Sequence, residues 1–311
     1  MYELDKYIFG EFFKHRSTPM DIMGSSAGAF RTACFCQSDP VAAVDRLAKN
    51  YSETVYSDDV DRYEITEKAL ELLDAFLAES GITEIINNPR FKAHFLVAKC
   101  SGFVASEHKM IQGLGLAKSY LNNRLSRRNL TKQYERYIYQ TDGSNLVFDD
   151  PDNIPTHQIS LTEDNLRDAL LASGSIPMVM AGIKDITGSP EGMYRDGGII
   201  DYHFDLKFKT DGLVLYPHFN SHPKAGWFDK KLKRPVRAAN YDNVVLLCPS
   251  EKFIANLPYQ KIPDRTDFST MDANQRMTYW KQVLAETQRL AEDLAQIIET
   301  QDLSVIKPFN A

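Results

Sequence analysis

Between Met20 and Gln37 the chain passes from a short apolar run, Met20-Asp21-Ile22-Met23, through Gly24-Ser25-Ser26-Ala27-Gly28, into small residues that suit a helix. Glycines two before and two after a central serine are what a strand needs to turn sharply into a helix, because bulkier neighbours would hold the two elements apart. The serine at such a turn is conformationally strained. It also stands at a helix N-terminus, where the Ala27 amide and the helix dipole favour developing negative charge. Ser26 is therefore a candidate nucleophile, with Gly24, Ala27 and Gly28 as its elbow and part of an oxyanion site.

This strand-turn-helix is one unit of a longer alternation. Tyr7, Ile8 and Phe12 sit at helical intervals ahead of a Ser-Thr-Pro break, and Pro40 opens a helix through Asp45 and Leu47. Leu70, Leu73, Phe76 and Leu77 share one face of a helix over 64–79, with Gly81 after its end. Core strands are expected at His94–Ala98, Leu213–Leu215 and Val244–Cys248, and a hairpin around Asp142-Gly143 between Tyr134–Tyr139 and Leu146–Phe148. Thr162 is placed to cap a helix to Ala172. Phe103–Lys132, with Gly113, Gly115 and the cations Arg124, Arg127, Arg128 and Lys132, reads as a surface excursion. Asn274–Glu299 carries Trp280, Val283, Leu284, Leu290, Leu294, Ile297 and Ile298 on a stripe expected to pack on the sheet. Helices alternating with short buried strands give a three-layer α/β/α architecture, with residues 1–311 as one domain.

Composition permits this and narrows the function. The 311 residues are 43% hydrophobic and 25% charged, enough for a large core. A formal net charge of -6 gives no attraction to nucleic acid. Cys34, Cys36, Cys100 and Cys248 are too scattered for a disulfide framework and are expected to be free thiols. No apolar stretch approaches the roughly 18 residues of a membrane span, and residues 1–13 carry charges where a signal peptide would be apolar. A soluble cytoplasmic protein, or one held peripherally at a membrane, is expected.

A serine hydroxyl needs a base. His203, His218 and His222 follow Ser26 late enough to be candidates, yet their surroundings carry no distinguishing signature. Asp196-Gly197-Gly198 lies between two sheet-like runs, Met193–Arg195 and Ile199–Ile200. Alone it reads as a turn. An aspartate can serve as sole base if burial raises its pKa from about 3.9, or if it directly contacts the serine.

Three segments in order, Ile22–Ala29, Ala172-Ser173-Gly174-Ser175-Ile176-Pro177 and Tyr194–Gly198, resemble the patatin-like phospholipase family over most of Met1 to about Ser250. The resemblance implies a patatin-like α/β/α fold with a mainly parallel central sheet and a helical extension over 251–311. It implies Ser26 as nucleophile, Asp196 as base and Gly197 and Gly198 as the turn beside it, with no catalytic histidine, cofactor or metal. The implied substrate is a lipid ester: a phospholipid, lysophospholipid or other acylglycerol. The family's first strand and glycine-rich oxyanion loop have no counterpart ahead of Gly24, where Gly10 is the sole glycine. Loss of one oxyanion donor lowers rates roughly 100- to 1000-fold. A catalytically impaired lipid-binding or interaction protein therefore stands as a second reading, and an esterase using a histidine triad through His203 as a third.

Trp227, Phe228, Lys230, Lys231, Lys233 and Arg234 join aromatic and cationic side chains as a membrane-surface contact would. Asp58-Asp59-Val60-Asp61 lacks the glycine and glutamate of a calcium loop, so no metal is expected there.

Overall fold

In the computed structural model, which describes residues 1–309, the ten-residue strand Phe91–Cys100 is the axis of the fold. The strands in chain order are β1 (Met20–Ser25), β2 (Phe91–Cys100), β3 (Tyr134–Gln140), β4 (Phe148–Asp149), β5 (Thr156–Ser160), β6 (Ile183–Lys184), β7 (Met193–Asp196), β8 (Lys207–Phe208), β9 (Val214–Pro217) and β10 (Val244–Leu247). On one side of β2 lie β3 and then β5. The other side is shared: β1 runs parallel to β2 from Met20 opposite Phe91 to Ser25 opposite Leu96, and β7 runs antiparallel with Asp196 opposite Val97. β1 and β7 thus meet end to end on one edge, and β6 flanks β7.

The expected α/β architecture is present, but the sheet is mixed rather than mainly parallel. β1–β2 and β3–β5 pair parallel, whereas β2–β3, β2–β7 and β6–β7 pair antiparallel. The β2–β3 connection leaves and re-enters at one end of the sheet, where the Ser101 amide donates to the Gln133 carbonyl at 2.9 Å, so β3 must run back. The expected hairpin does not form. Gly143 does turn at φ +78, but Ser144 then bonds the His94 ring at 3.2 Å and leads the chain off, and β4 pairs with β8. β9 and β10 form a separate parallel pair.

Side chains alternate across β2. Phe91, Ala93, Phe95 and Val97 join the larger core, while Leu96, Ala98 and Cys100 join a second core on the opposite face. Over the first face pack α1 (Tyr2–Tyr7, continued as a π-helical turn to Phe12), α2 (Ala27–Phe35), α3 (Pro40–Glu53), α4 (Arg62–Leu77) and α5 (Gly81–Ile86). Over the second lies α6 (Lys109–Leu125), a five-turn helix where a surface excursion was expected. α7 (Leu166–Gly174) returns to the first face. Its N-terminus is at Asn165, whose side chain accepts from the Thr162 amide, so Thr162 is not the cap.

Beyond residue 250 the chain is helical: α8 (Glu251–Ala255), α9 (Asp267–Thr270), α10 (Ala273–Glu286) and α11 (Gln288–Thr300). The single long helix expected here is two, joined at Thr287. The Thr287 hydroxyl donates to the Leu284 carbonyl and accepts the Glu3 amide at 3.0 Å, which ties the joint to α1. α10 and α11 therefore lie on α3 and α1, outside the helical layer, and not on the sheet. Among the described residues no helix is long and apolar enough to cross a membrane.

Candidate active site

Because β1 and β7 abut on β2, Ser26 just after β1 and Asp196 at the end of β7 converge although they are 170 positions apart. The Ser26 hydroxyl donates to Asp196 Oδ2 at 2.8 Å. Ser26 sits between β1 and α2 at φ 55, ψ -128, a left-handed conformation worth about 1–3 kcal/mol of strain for a non-glycine residue. Ser173 from the end of α7 holds it there: its Oγ accepts the Ser26 amide at 3.0 Å, and its hydroxyl donates to the Leu96 carbonyl at 2.7 Å. The Ala27 amide, first of α2, is beside Ser26 and has no acceptor within the helix.

The two elbow glycines are not equivalent. A Cβ on Gly24 would lie 2.1 Å from the Gly28 carbonyl oxygen, whereas a Cβ on Gly28 would meet nothing within 4 Å. It is the Gly28 backbone that presses on Gly24, so only Gly24 must lack a side chain.

The carboxylate is fixed as closely. Asp196 Oδ1 accepts the Gly198 amide at 2.7 Å, and the Asp196 amide donates to the Ser175 carbonyl at 3.1 Å. A Cβ on Gly197 would stand 2.3 Å from the Leu96 carbonyl, and one on Gly198 would stand 2.9 Å from Asp196 Oδ1. Where sheet was expected after the glycines, Gly197–Ile199 is a 3-10 turn that swings the chain away from β1. Burial pushes the Asp196 carboxyl up to about 6, opposed by the hydrogen bonds from Ser26 and Gly198.

Two anchors of this turn were not legible in the sequence. Arg136 on β3, fully buried, donates through Nε and Nη2 to Asp201 at 2.7 and 2.9 Å. Arg127, read as a surface cation, is buried too; it donates to the Ile200 carbonyl at 2.8 Å and pairs with Asp152 and Asp229. The available signal was a lone arginine inside the strand-like run Tyr134–Tyr139. Near Asp196, Lys230 Nζ lies 3.7 Å above the Tyr202 ring, whose edge is 3.5 Å from the Cβ position of Gly198. Partial desolvation of its ammonium and the Arg265 charge draw Lys230 down to about 8 against the pull of Asp196.

His203 takes no part in this contact. Its Nδ1 accepts the Lys224 amide at 2.6 Å, its ring packs on Tyr202 and His218, and burial holds it neutral. His218 is likewise neutral, bound through Nδ1 to the Asn220 backbone, and His222 is at the surface. The aromatic-cationic segment does not match the expected membrane contact. Phe228 is buried against Tyr134 in the second core, Trp227 packs on the same cluster, and Arg234 pairs with Asp229, because α6 offers them an interior. Lys230, Lys231 and Lys233 remain exposed. Among the described residues no three or more His, Cys, Asp or Glu side chains are grouped to hold a metal ion.

Comparison with curated proteins finds no match. A family model described as patatin-like phospholipase matches residues 18–203, from just before β1 to just after the Asp196 turn. The match takes in the elbow, Ser173 and the carboxylate, and it spans more than half of the chain: this protein belongs to the patatin-like phospholipase family.

Proposed function

We propose that this chain hydrolyses lipid carboxylic esters through a Ser26 acyl-enzyme, with Asp196 as the base. The observation that carries this reading is the 2.8 Å hydrogen bond from the Ser26 hydroxyl to a carboxylate whose burial brings its pKa to about 6, close to where a general base works best. Asp196 Oδ2 takes the Ser26 proton as Oγ bonds the ester carbon, and the same proton passes to the departing alcohol. A water then gives a proton to Asp196 and its oxygen to the acyl carbon; the acid leaves and Ser26 recovers its proton. The Ala27 amide and the N-terminus of α2 stabilise the oxyanion. Phospholipase A or lysophospholipase chemistry is the substrate class.

Hydrolysis of a short-chain p-nitrophenyl ester tests this. Ser26→Ala and Asp196→Asn are each expected to lower kcat/KM on the order of 1000-fold or more, and a fluorophosphonate probe is expected to label Ser26 alone. Retention of hydrolysis by folded Ser26→Ala protein would exclude the mechanism. The wild-type rate is expected to fall as pH drops through about 6, where Asp196 gains a proton.

A further inference from the structure

The helix α6 has two apolar faces. Its fully buried residues are Gln112, Gly115, Ser119 and Asn123, and beside them Leu116 and Tyr120, half-buried, pack on the second core. The buried polar side chains are held: Gln112 accepts the Met178 amide at 2.8 Å, Ser119 bonds Gln133 and Tyr134, and Asn123 donates to Asp229. A Cβ on Gly115 would come within 2.6 Å of the Val104 amide nitrogen, so the helix seats closely on this polar side. The opposite face carries Met110, Leu114, Leu121 and Leu125, exposed by 74%, 63%, 59% and 81%, with spacings that align them on one stripe. An ordinary surface helix buries such a stripe, and a continuous exposed one marks an interaction site.

Charge identifies the occupant. In a chain of net charge -6, residues 109–132 contain no Asp or Glu and six Lys and Arg. Arg127 is the buried anchor described above, and Lys109, Lys118, Arg124 and Lys132 are exposed and take part in none of the ion pairs of the described residues. Arg234 donates to the Asn123 carbonyl at the C-terminal end of α6, so exposed Lys231 and Lys233 continue the basic rim. Apolar side chains bordered by unpaired cations are what a helix lying in an anionic lipid surface presents. Through Gln112 and Met178 the helix also adjoins the chain just after α7, whose last residues hold Ser26 through Ser173 and Asp196 through Ser175.

We infer that the outer face of α6 docks the protein on an anionic phospholipid surface, with Leu114 and Leu121 entering the acyl boundary and Lys118 and Arg124 meeting phosphate. The choice of lipid over a protein partner rests partly on the lipid-ester reading, but the test does not require turnover. Flotation is measured with Ser26→Ala protein and vesicles of phosphatidylcholine mixed equally with phosphatidylglycerol, against vesicles of phosphatidylcholine alone. Binding is expected to the mixed vesicles, weaker to the neutral ones, and reduced by added salt. Leu114→Glu/Leu121→Glu is expected to lower partitioning more than about tenfold and Lys118→Gln/Arg124→Gln about 25-fold, near fivefold for each charge removed, without a change in Tm because these side chains are exposed. In a Ser26-intact background the same pairs are expected to hydrolyse a soluble ester at the wild-type rate, which separates failure of docking from failure of the dyad. Partitioning that the Leu114→Glu/Leu121→Glu pair leaves intact overturns the inference. So does a protein that binds neither vesicle but forms a dimer this pair dissociates, which would assign the face to a second copy.

Discussion

The two halves of the Ser26–Asp196 contact are built by different physics. The serine half, Gly24–Gly28, is a local construction of backbone against backbone: one missing Cβ lets β1 and α2 touch, and a positive φ points Ser26 outward. The aspartate half, Asp196–Asp201, has the same need for glycine, but its turn is fastened by charge brought from far along the chain, by Arg136 to Asp201 over 65 positions and Arg127 to Ile200 over 73. The first half stores strain in the backbone, and the second stores it as a buried carboxylate. A site assembled this way has its serine, the proposed nucleophile, defined by ten residues, while the position of its carboxylate, the proposed base, depends on the whole of one sheet face.

Substitutions should separate these halves, the largest effect first. Gly24→Ala forces a Cβ to 2.1 Å from a carbonyl oxygen with no flexible atom to yield, and is expected to destabilise by more than about 4 kcal/mol or to prevent folding, as seen in thermal melts. Arg136→Ala leaves Asp201 and Asp150 without their buried cation and is expected to lose about 3–5 kcal/mol in urea unfolding, with activity failing through displacement of Asp196. Were Arg136→Ala to retain both, the charge-built account of this half would be wrong.

Asp196→Asn should act in the opposite sense on stability. The folded carboxyl titrates at about 6 against 3.8 for a free one, so the folded state holds the proton more tightly and the penalty for burying the anion is absent well below pH 4 and complete above pH 6. That interval corresponds to about 3 kcal/mol as an upper bound. The variant is therefore expected to be inactive yet to melt higher than wild type near neutral pH, and the gain should shrink as pH falls from about 6 to about 4. Ser173→Ala removes the hydroxyl joining the Ser26 amide to the Leu96 carbonyl and is expected to destabilise by about 1–3 kcal/mol and to slow turnover by loosening the elbow. Gly28→Ala, the mildest, places its Cβ in open space on a helix and should be neutral or stabilising by about 0.5 kcal/mol, in contrast to Gly24→Ala four residues away.

The sequence by itself determined what depends on near neighbours. The apolar run into Gly24, the small residues after Ser26 and the Asp-Gly-Gly turn are each readable within ten residues, because the sterics of a tight turn act over that distance. Order along the chain also tied Ser26, Ser173 and Asp196 to one family pattern. Tertiary structure alone decided how strands meet. Whether β7 runs with or against β2 depends on where the preceding chain leaves it, and nothing in Met193–Asp196 encodes that direction. It likewise decided that Arg127 and Phe228 turn inward and that the Met110, Leu114, Leu121 and Leu125 stripe of α6 turns outward. Periodicity locates the stripe on a helix but not the side on which the protein lies, because that is fixed by the buried partners of Gln112, Ser119 and Asn123, which come from other elements.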